Sequence, residues 1–288
     1  MGALCRQLTL HVTPRRMLTM NVFALLANLF LFAAHLSPGW QNHASSFERV
    51  ITPAQHRTML STLRTIVSQM ETNNLTYLMV SGTLMGSYRH HDMIPWDDDV
   101  DIGFMSADKE RVRDVLRRLE PDFRLYIRYE SISDSEPWKF YPSTSGGYIH
   151  KSFGWPYIDM FFYGENATHI WNERPVESHQ VFRKCDVFPL RRRPFGDMML
   201  LAPCNVRGIL TCMFGDLDRC VSRSFSHIME VPMPFMSHDL PCSALTHKYQ
   251  FVSRTYNKTG VNETLRIGRW TVNMVSLPAA CANPCLGS

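Results

Sequence analysis

The sequence predicts an α/β domain behind a single membrane-spanning helix. Three observations lead there: short apolar runs of strand type alternate with stretches of helical period, an Asp-rich block opens one of those runs, and a charge-free segment precedes them all. With 288 residues, 45% of them hydrophobic and 11% aromatic, the chain can bury a full core in one large domain or two small ones. The net charge of +4 is only mildly basic, and no Lys/Arg run is interleaved with aromatic residues. Nucleic acid is therefore excluded as an expected partner.

Met17 to Leu36 holds no Asp, Glu, Lys or Arg. At about 1.5 Å per helical residue it spans a hydrocarbon core of roughly 30 Å. Arg6, Arg15 and Arg16 precede it without an acidic residue, so residues 1–16 read as a cytoplasmic tail, 17–36 as a signal anchor, and everything beyond as lumenal. The rival reading is a cleaved signal peptide, although the apolar run is long for one and no small-x-small site follows it. Sequons at Asn74, Asn166, Asn257 and Asn262 agree with a secretory address. Seven of the eight cysteines follow the anchor, where disulfides form, and an odd number leaves one free or paired with another chain. The expected location is a Golgi or endoplasmic reticulum membrane, single-pass type II.

Residues 37–51 read as a short stem. Thr52-Pro53 is an N-cap followed by proline at the first helical position, and Leu60, Leu63, Val67 and Met70 recur at helical spacing behind it. Tyr77 to Val80 reads as a strand, Ser81-Gly82 as a turn, and Leu84-Met85 as the start of a short helix in which Gly86 permits close approach to a neighbour. Asp99 to Phe104 alternates polar and apolar, which in a strand sets Asp99 and Asp101 on one face and Val100, Ile102 and Phe104 toward the core. Ser106 is expected to cap a helix whose Val112, Val115, Leu116 and Leu119 are buried and which Pro121 ends. Phe123 to Tyr129 reads as a strand and Ser131 to Gly147 as a loop. Tyr157 to Tyr163 is the strongest strand signal, apolar and aromatic except for Asp159. Two short strands flank a Phe195-Gly196-Asp197 turn, and Asn205 caps a helix running to Phe214 with Gly215 at its end. Residues 221–288, with Cys220 just before them, are expected to form an irregular, disulfide-tied extension.

Two carboxylates fixed side by side repel each other unless a cation lies between them, and hard oxygen ligands suit Mg²⁺ or Mn²⁺. Asp99 and Asp101 are the expected metal ligands. Asp159 is the expected third, its competing explanation being a carboxylate satisfied by a neighbouring cation or amide. Asp97 shares their face in an extended chain and is a supporting ligand, or else caps the turn after Pro95-Trp96; Asp98 points the other way. The Ser81-Gly82 amides suit a phosphate. Arg89, His90 and Lys151 are further candidates for donor-phosphate contacts, against the plainer reading of solvated side chains, and Lys139 is a candidate for offsetting leaving-group charge. Arg191, Arg192 and Arg193 read better as a solvated strand edge than as an anion site. Cys204, Cys212 and Cys220 recur every eight residues with His227 seven beyond. That spacing fits no common zinc site, and disulfides are the better reading, with Cys281 or Cys285 pairing to Cys242 or Cys220.

A Ser-Gly turn, Asp-x-Asp on a strand and a lone Asp on a later strand make the layout of the nucleotidyltransferase fold, so the expected architecture is a nucleotidyltransferase-like mixed sheet core with flanking helices. The likeness is closer than the fold. Gly82-Thr83-Leu84-Met85-Gly86-Ser87 with Arg89-His90, then Ile94-Pro95-Trp96-Asp97-Asp98-Asp99-Val100-Asp101, resembles the signature of the LicD family, which includes fukutin and fukutin-related protein. Val187-Phe188-Pro189-Leu190, Phe195, Pro203 and Phe214-Gly215 resemble its later pattern. The resemblance implies a LicD-like catalytic domain over residues 52–220. It further implies a magnesium-dependent (or manganese-dependent) transferase that moves a phospho-alcohol, such as phosphocholine or ribitol phosphate, from a CDP-activated donor to a glycan or glycoprotein acceptor. Asp99, Asp101 and Asp159 would be its catalytic carboxylates. A glycosyltransferase using Asp-x-Asp and a nucleotide sugar, and a non-catalytic glycan-binding or scaffolding member, are the competing readings.

Overall fold

The structure is a computed structural model and describes residues 46–128, 135–148, 150–174, 180–233 and 237–278. The expected anchor at 17–36, and Cys281 and Cys285, lie outside the described residues. Among the described residues no helix is long and apolar enough to cross a membrane.

Helix α1 (Pro53–Thr72) starts where the sequence places it. Thr52 accepts from the Gln55 amide while Gln55 accepts from the Thr52 amide, a reciprocal pair that satisfies two otherwise unbonded donors. Its buried face, with Met59, Leu63, Ile66, Val67 and Met70, covers a mixed sheet. The sheet is built from β1 (Tyr77–Met79), β2 (Asp101–Met105), β3 (Phe123–Tyr126), β4 (Trp138–Pro142), β5 (Ile158–Glu165), β6 (His169–Asn172) and β7 (Val181–Arg183). Its order is β1-β2-β5-β4-β3, with β6 paired to the far half of β5 and β7 to β6. Only β2 and β5 pair in parallel. Helix α2 (Ser81–His90) leaves β1 directly, and helix α3 (Lys109–Arg117) follows β2. At Gly86 a Cβ would fall 2.4 Å from the Asp92 carbonyl, so glycine is what lets α2 press on the chain that folds back over it.

The hairpin β8 (Arg191–Phe195) and β9 (Met198–Ala202) turns at Gly196, which has a φ of 59°. Helix α4 (Val206–Phe214) is capped by Asn205, which accepts from Gly208, and stops at Gly215. The Cys220–Cys242 disulfide then closes a loop. The chain finishes, within the described residues, as an antiparallel sheet of β10 (Phe251–Tyr256), β11 (Gly260–Ile267) and β12 (Trp270–Pro278). The described residues form one compact unit.

Five expectations need correction. Ser106 makes no cap hydrogen bond, because Ser106–Asp108 is a 3₁₀ turn and α3 begins after it. The strand at Phe123 is shorter than expected and ends at Tyr126. The supposed loop at 131–147 contains β4, whose Trp138 and Phe140 are wholly buried. The region after Cys220 is not irregular, since it holds β10 to β12. Cys220 pairs with Cys242 and with neither later cysteine. Cys185 and Cys204 are also disulfide-bonded, and among the described cysteines Cys212 is free and exposed.

Candidate active site

The site grows out of how the Asp-rich block enters the sheet. Asp97 closes a turn by donating its amide to the Ile94 carbonyl at 3.0 Å. Regular pairing begins only at Asp101, whose amide donates to Thr83 Oγ1 at 2.6 Å. One strand over, the Asp159 amide donates to the Val100 carbonyl at 2.9 Å, and the parallel register places Asp159 beside Asp101. Asp99 reaches the same place from the loop just before β2. One carboxylate oxygen from each of Asp99, Asp101 and Asp159 lies within 4.8 Å of the others.

Crowded, buried carboxylates resist ionisation. Burial first, then Asp99 and Asp159, push the Asp101 carboxyl well above the ordinary range. Burial and then Asp99 do the same to Asp97. Asp99 is also raised, mainly by burial, with His227 pulling in the opposite direction. All three clustered groups offer hard oxygen donors, so the residues present fit a divalent cation of the Mg²⁺ or Mn²⁺ kind.

Two cations flank the cluster. Lys139 stands opposite Asp159 in the β4–β5 register and its ammonium is 2.8 Å from Asp159 Oδ1, over the Tyr157 ring. On the other side His227 Nε2 is 3.3 Å from Asp99 Oδ2, and Nδ1 donates to Asp98 Oδ1 at 3.1 Å. Burial alone would lower the imidazole pKa, but Asp99, the Asp98 hydrogen bond and Asp159 together push it up to about 10. Asp98 itself points away from the cluster, as expected from the alternation. It is wholly buried and also accepts from Arg223 at 2.7 Å and from the Ile228 amide at 3.2 Å. Burial would raise its pKa, yet the His227 hydrogen bond and charge, the Ile228 amide and Arg223 hold it below the ordinary value.

These groups open onto a cleft of about 500 Å³. Ser81 and Lys151 line it. Glu230 lies between Lys139 and Lys151, at 3.7 and 3.9 Å, and accepts from the Tyr157 hydroxyl. Tyr126, Phe153, Arg128 and Arg174 also line it, the Lys139 ammonium 5.0 Å from the Phe153 ring and the two guanidiniums 3.8 and 3.6 Å from Glu136.

Other predicted site residues are placed differently. The Gly82 amide faces Asp101 Oδ2 at 3.3 Å, so it is turned to the carboxylates and not to open cleft. Arg89 and His90 are buried behind the site. Arg89 donates to the Leu217 and Arg219 carbonyls, and His90 Nδ1 donates to the Gln250 carbonyl at 2.6 Å. Neither is brought to the cleft. With Trp96, whose indole donates to the Val221 carbonyl, they hold the C-terminal segment against α2. Arg193 belongs to no solvated edge: it is buried and 2.9 Å from Glu263, which also meets His91 and Arg254. Asn74, Asn166 and Asn257 are exposed and Asn262 is half-buried. Sequence reasoning missed Glu230 and weighed His227 only as a partner for cysteines. Neither carries a local signal, because each reaches the site from far along the chain, Glu230 from 73 residues beyond Tyr157 and His227 from 129 beyond Asp98.

Residues 74–205 match the family described as LicD/FKTN/FKRP, nucleotidyltransferase domain. The chain is 29% identical over 171 residues to ribitol 5-phosphate transferase FKRP of Homo sapiens, covering 58% of this chain and 33% of that protein. The Mus musculus protein of the same name is 28% identical over 166 residues, with 57% and 32% covered. This chain thus spans about a third of the length of these two relatives. It is also 24% identical over 220 residues to an uncharacterized protein of Rickettsia prowazekii, with 74% of this chain and 76% of that one covered.

Proposed function

Starting from a chain that carries a LicD/FKTN/FKRP nucleotidyltransferase domain over residues 74–205, we propose a lumenal, membrane-anchored phosphotransferase. It moves a phospho-alcohol of the ribitol-phosphate or phosphocholine kind from a CDP-activated donor to a glycan or glycoprotein. The observation that carries this reading is the convergence of Asp99, Asp101 and Asp159 on one wall of the cleft. The relatives named as ribitol 5-phosphate transferases support a donor of this class. The N-terminal charge-free segment and the exposed sequons support a Golgi or endoplasmic reticulum address.

In the reaction, an acceptor hydroxyl oxygen forms a bond to the phosphorus that bears the alcohol. The bond from that phosphorus to the bridging oxygen breaks, CMP leaves, and the hydroxyl proton passes to a carboxylate of the cleft. A divalent cation held by Asp99, Asp101 and Asp159 supplies charge neutralisation for the diphosphate when bound. Lys139 and Lys151 add positive charge along the departing group, and Tyr126 and Phe153 offer aromatic faces in the same cleft for a base to stack on. Catalysis is then positioning plus electrostatics.

The test incubates full-length, detergent-solubilised protein with CDP-ribitol, CDP-choline and UDP-sugars, with and without Mg²⁺ or Mn²⁺. CMP release that needs the cation, and is abolished in Asp99→Asn and Asp101→Asn, is the expected result. Release of UDP would move the assignment to a glycosyltransferase, and no nucleotide release from any donor would favour a non-catalytic member.

A further inference from the structure

The run Arg191-Arg192-Arg193 has no part in the cleft, and β8 divides it between two faces because alternate side chains of a strand point in opposite directions. Arg192 turns to α1, where its guanidinium is 2.9 Å from Glu71, and it also donates to the Met199 carbonyl. Arg191 and Arg193 turn the other way and line a cavity of about 200 Å³ between β8, the start of α4, and strands β10 and β11. Arg254 stands opposite Glu263 in the β10–β11 register and brings another guanidinium, 3.5 Å over the Tyr88 ring. Arg207, in the first turn of α4, brings one more. Among the lining residues the carboxylate is Glu263, which Arg193 and Arg254 share at 2.9 and 2.8 Å. That is one negative charge against two. Arg191 and Arg207 are exposed and have no side-chain partner among the described residues.

A second observation points to an anion. Arg193 Nε is a buried donor without an acceptor, in a residue only 7% exposed, and folded chains rarely leave such a donor unmet. The first turn of α4 adds backbone amides that have no acceptor within the helix, at its positive end. Guanidinium forks and amides arriving from β8, β10 and α4 suit a tetrahedral oxyanion, whose oxygens can be met from several sides. Tyr256, Leu277 and Pro278 line the same cavity with apolar surface. The structure assigns this cavity as a binding site for a small phosphate monoester. The phosphate faces Arg191, Arg193 and Arg207, and the carbon part lies against Tyr256 and Pro278. The site is separate from the cleft. Ser81, at the start of α2, lines the cleft, whereas Tyr88, about 10 Å further along the helix axis, lines the cavity. The assignment therefore goes beyond the transfer reaction and depends on neither its donor nor its cation.

The experiment titrates full-length, detergent-solubilised protein in EDTA with glucose 6-phosphate, inorganic phosphate and glucose, followed by calorimetry. Glucose 6-phosphate should bind at one site, inorganic phosphate more weakly, and glucose not at all. Arg191→Gln and Arg207→Gln should each weaken glucose 6-phosphate by about 10-fold or more. Lys151→Gln, which alters the cleft, should leave that affinity unchanged. Both arginines are exposed and without partners, so the variants should fold with the Tm of the parent, measured in the absence of ligand. Affinity that survives in both arginine variants, or that falls in Lys151→Gln alone, would overturn the proposal by placing the phosphate elsewhere. Absence of binding by both phosphates would overturn it as well. Equal affinity for inorganic phosphate and glucose 6-phosphate would overturn the role given to Tyr256 and Pro278. CMP release is a separate measurement, so failure of this assignment leaves the transferase reading standing.

Discussion

Asp101→Asn should abolish transfer and, at the same time, stabilise the metal-free protein. Asp101 is buried between Asp99 and Asp159, with an oxygen of each within 4.8 Å of its own. At that separation, with an effective dielectric of about 20, one pair of ionised carboxylates repels by roughly 3 kcal/mol. Proton uptake relieves part of this, and Lys139 and His227 relieve more, so a net gain of about 1–2 kcal/mol is the reasonable expectation. The amide retains size and can still accept from Gly82. For a domain of this length the gain corresponds to a rise in Tm of about 2–8 °C. The sign with pH follows from the raised carboxyl of Asp101. A group that holds its proton more tightly in the folded state disfavours folding more as pH climbs from its ordinary value, 3.8, through the raised one. The variant's advantage should therefore be small near pH 4 and grow toward pH 8. Differential scanning calorimetry in EDTA from pH 4 to 8, repeated with Mn²⁺, reads all of this. Mn²⁺ should raise the Tm of the parent protein and leave that of the variant nearly unchanged. A variant less stable than the parent at pH 8 in EDTA would refute the repulsion argument, and retained CMP release would refute the role of Asp101.

Glu263→Gln should destabilise by about 3–5 kcal/mol, because it leaves Arg193 and Arg254 buried without their carboxylate. Burial would raise the Glu263 pKa, but His91, Arg193 and Arg254 pull it down to about 2. The parent's advantage should be full above pH 4.5 and shrink as pH falls from there toward about 2, as chemical denaturation across that range would register. Lys139→Met removes the ammonium beside Asp159 and should slow CMP release on the order of 10²-fold with the protein still folded, measured by initial rates. Replacing Cys220 and Cys242 together by serine opens a loop with a sequence separation of 22 and should cost about 3 kcal/mol, seen as an earlier urea midpoint.

What the sequence made legible was what depends on neighbours along the chain. The α1 cap is read from Thr52 followed by Pro53, the β8–β9 turn from Gly196, and the α4 ends from Asn205 and Gly215. Asp159 was legible for a related reason: a charge inside an apolar strand is costly without a partner. Strand β4 was hidden because Ser, Pro and Gly on both sides of Trp138-Lys139-Phe140 drowned a three-residue alternation. The final sheet was hidden because β12 exposes Trp270, Val272 and Met274, so no buried face imposes a period of two. Arg89 and His90 illustrate the third limit. Their residue types suit phosphate, but their partners are carbonyls of Leu217, Arg219 and Gln250, and only the folded chain reveals that.

The parallel pairing of β2 with β5 also sets when the site comes into being. Asp101 and Asp159 meet only after the intervening β3, α3 and β4 have been threaded around, and pairings of that separation form late. A ribosome delivers Asp97 to Asp101 first, Lys139 and Asp159 next, and Arg223 and His227 well after them. Until the last of these arrives, the nascent acidic block has its strand partner and Lys139 but lacks the cations that face Asp98 and Asp99. The charge balance of the acidic block is accordingly a property that the chain acquires in stages, its last cations coming from the segment that the Cys220–Cys242 disulfide closes.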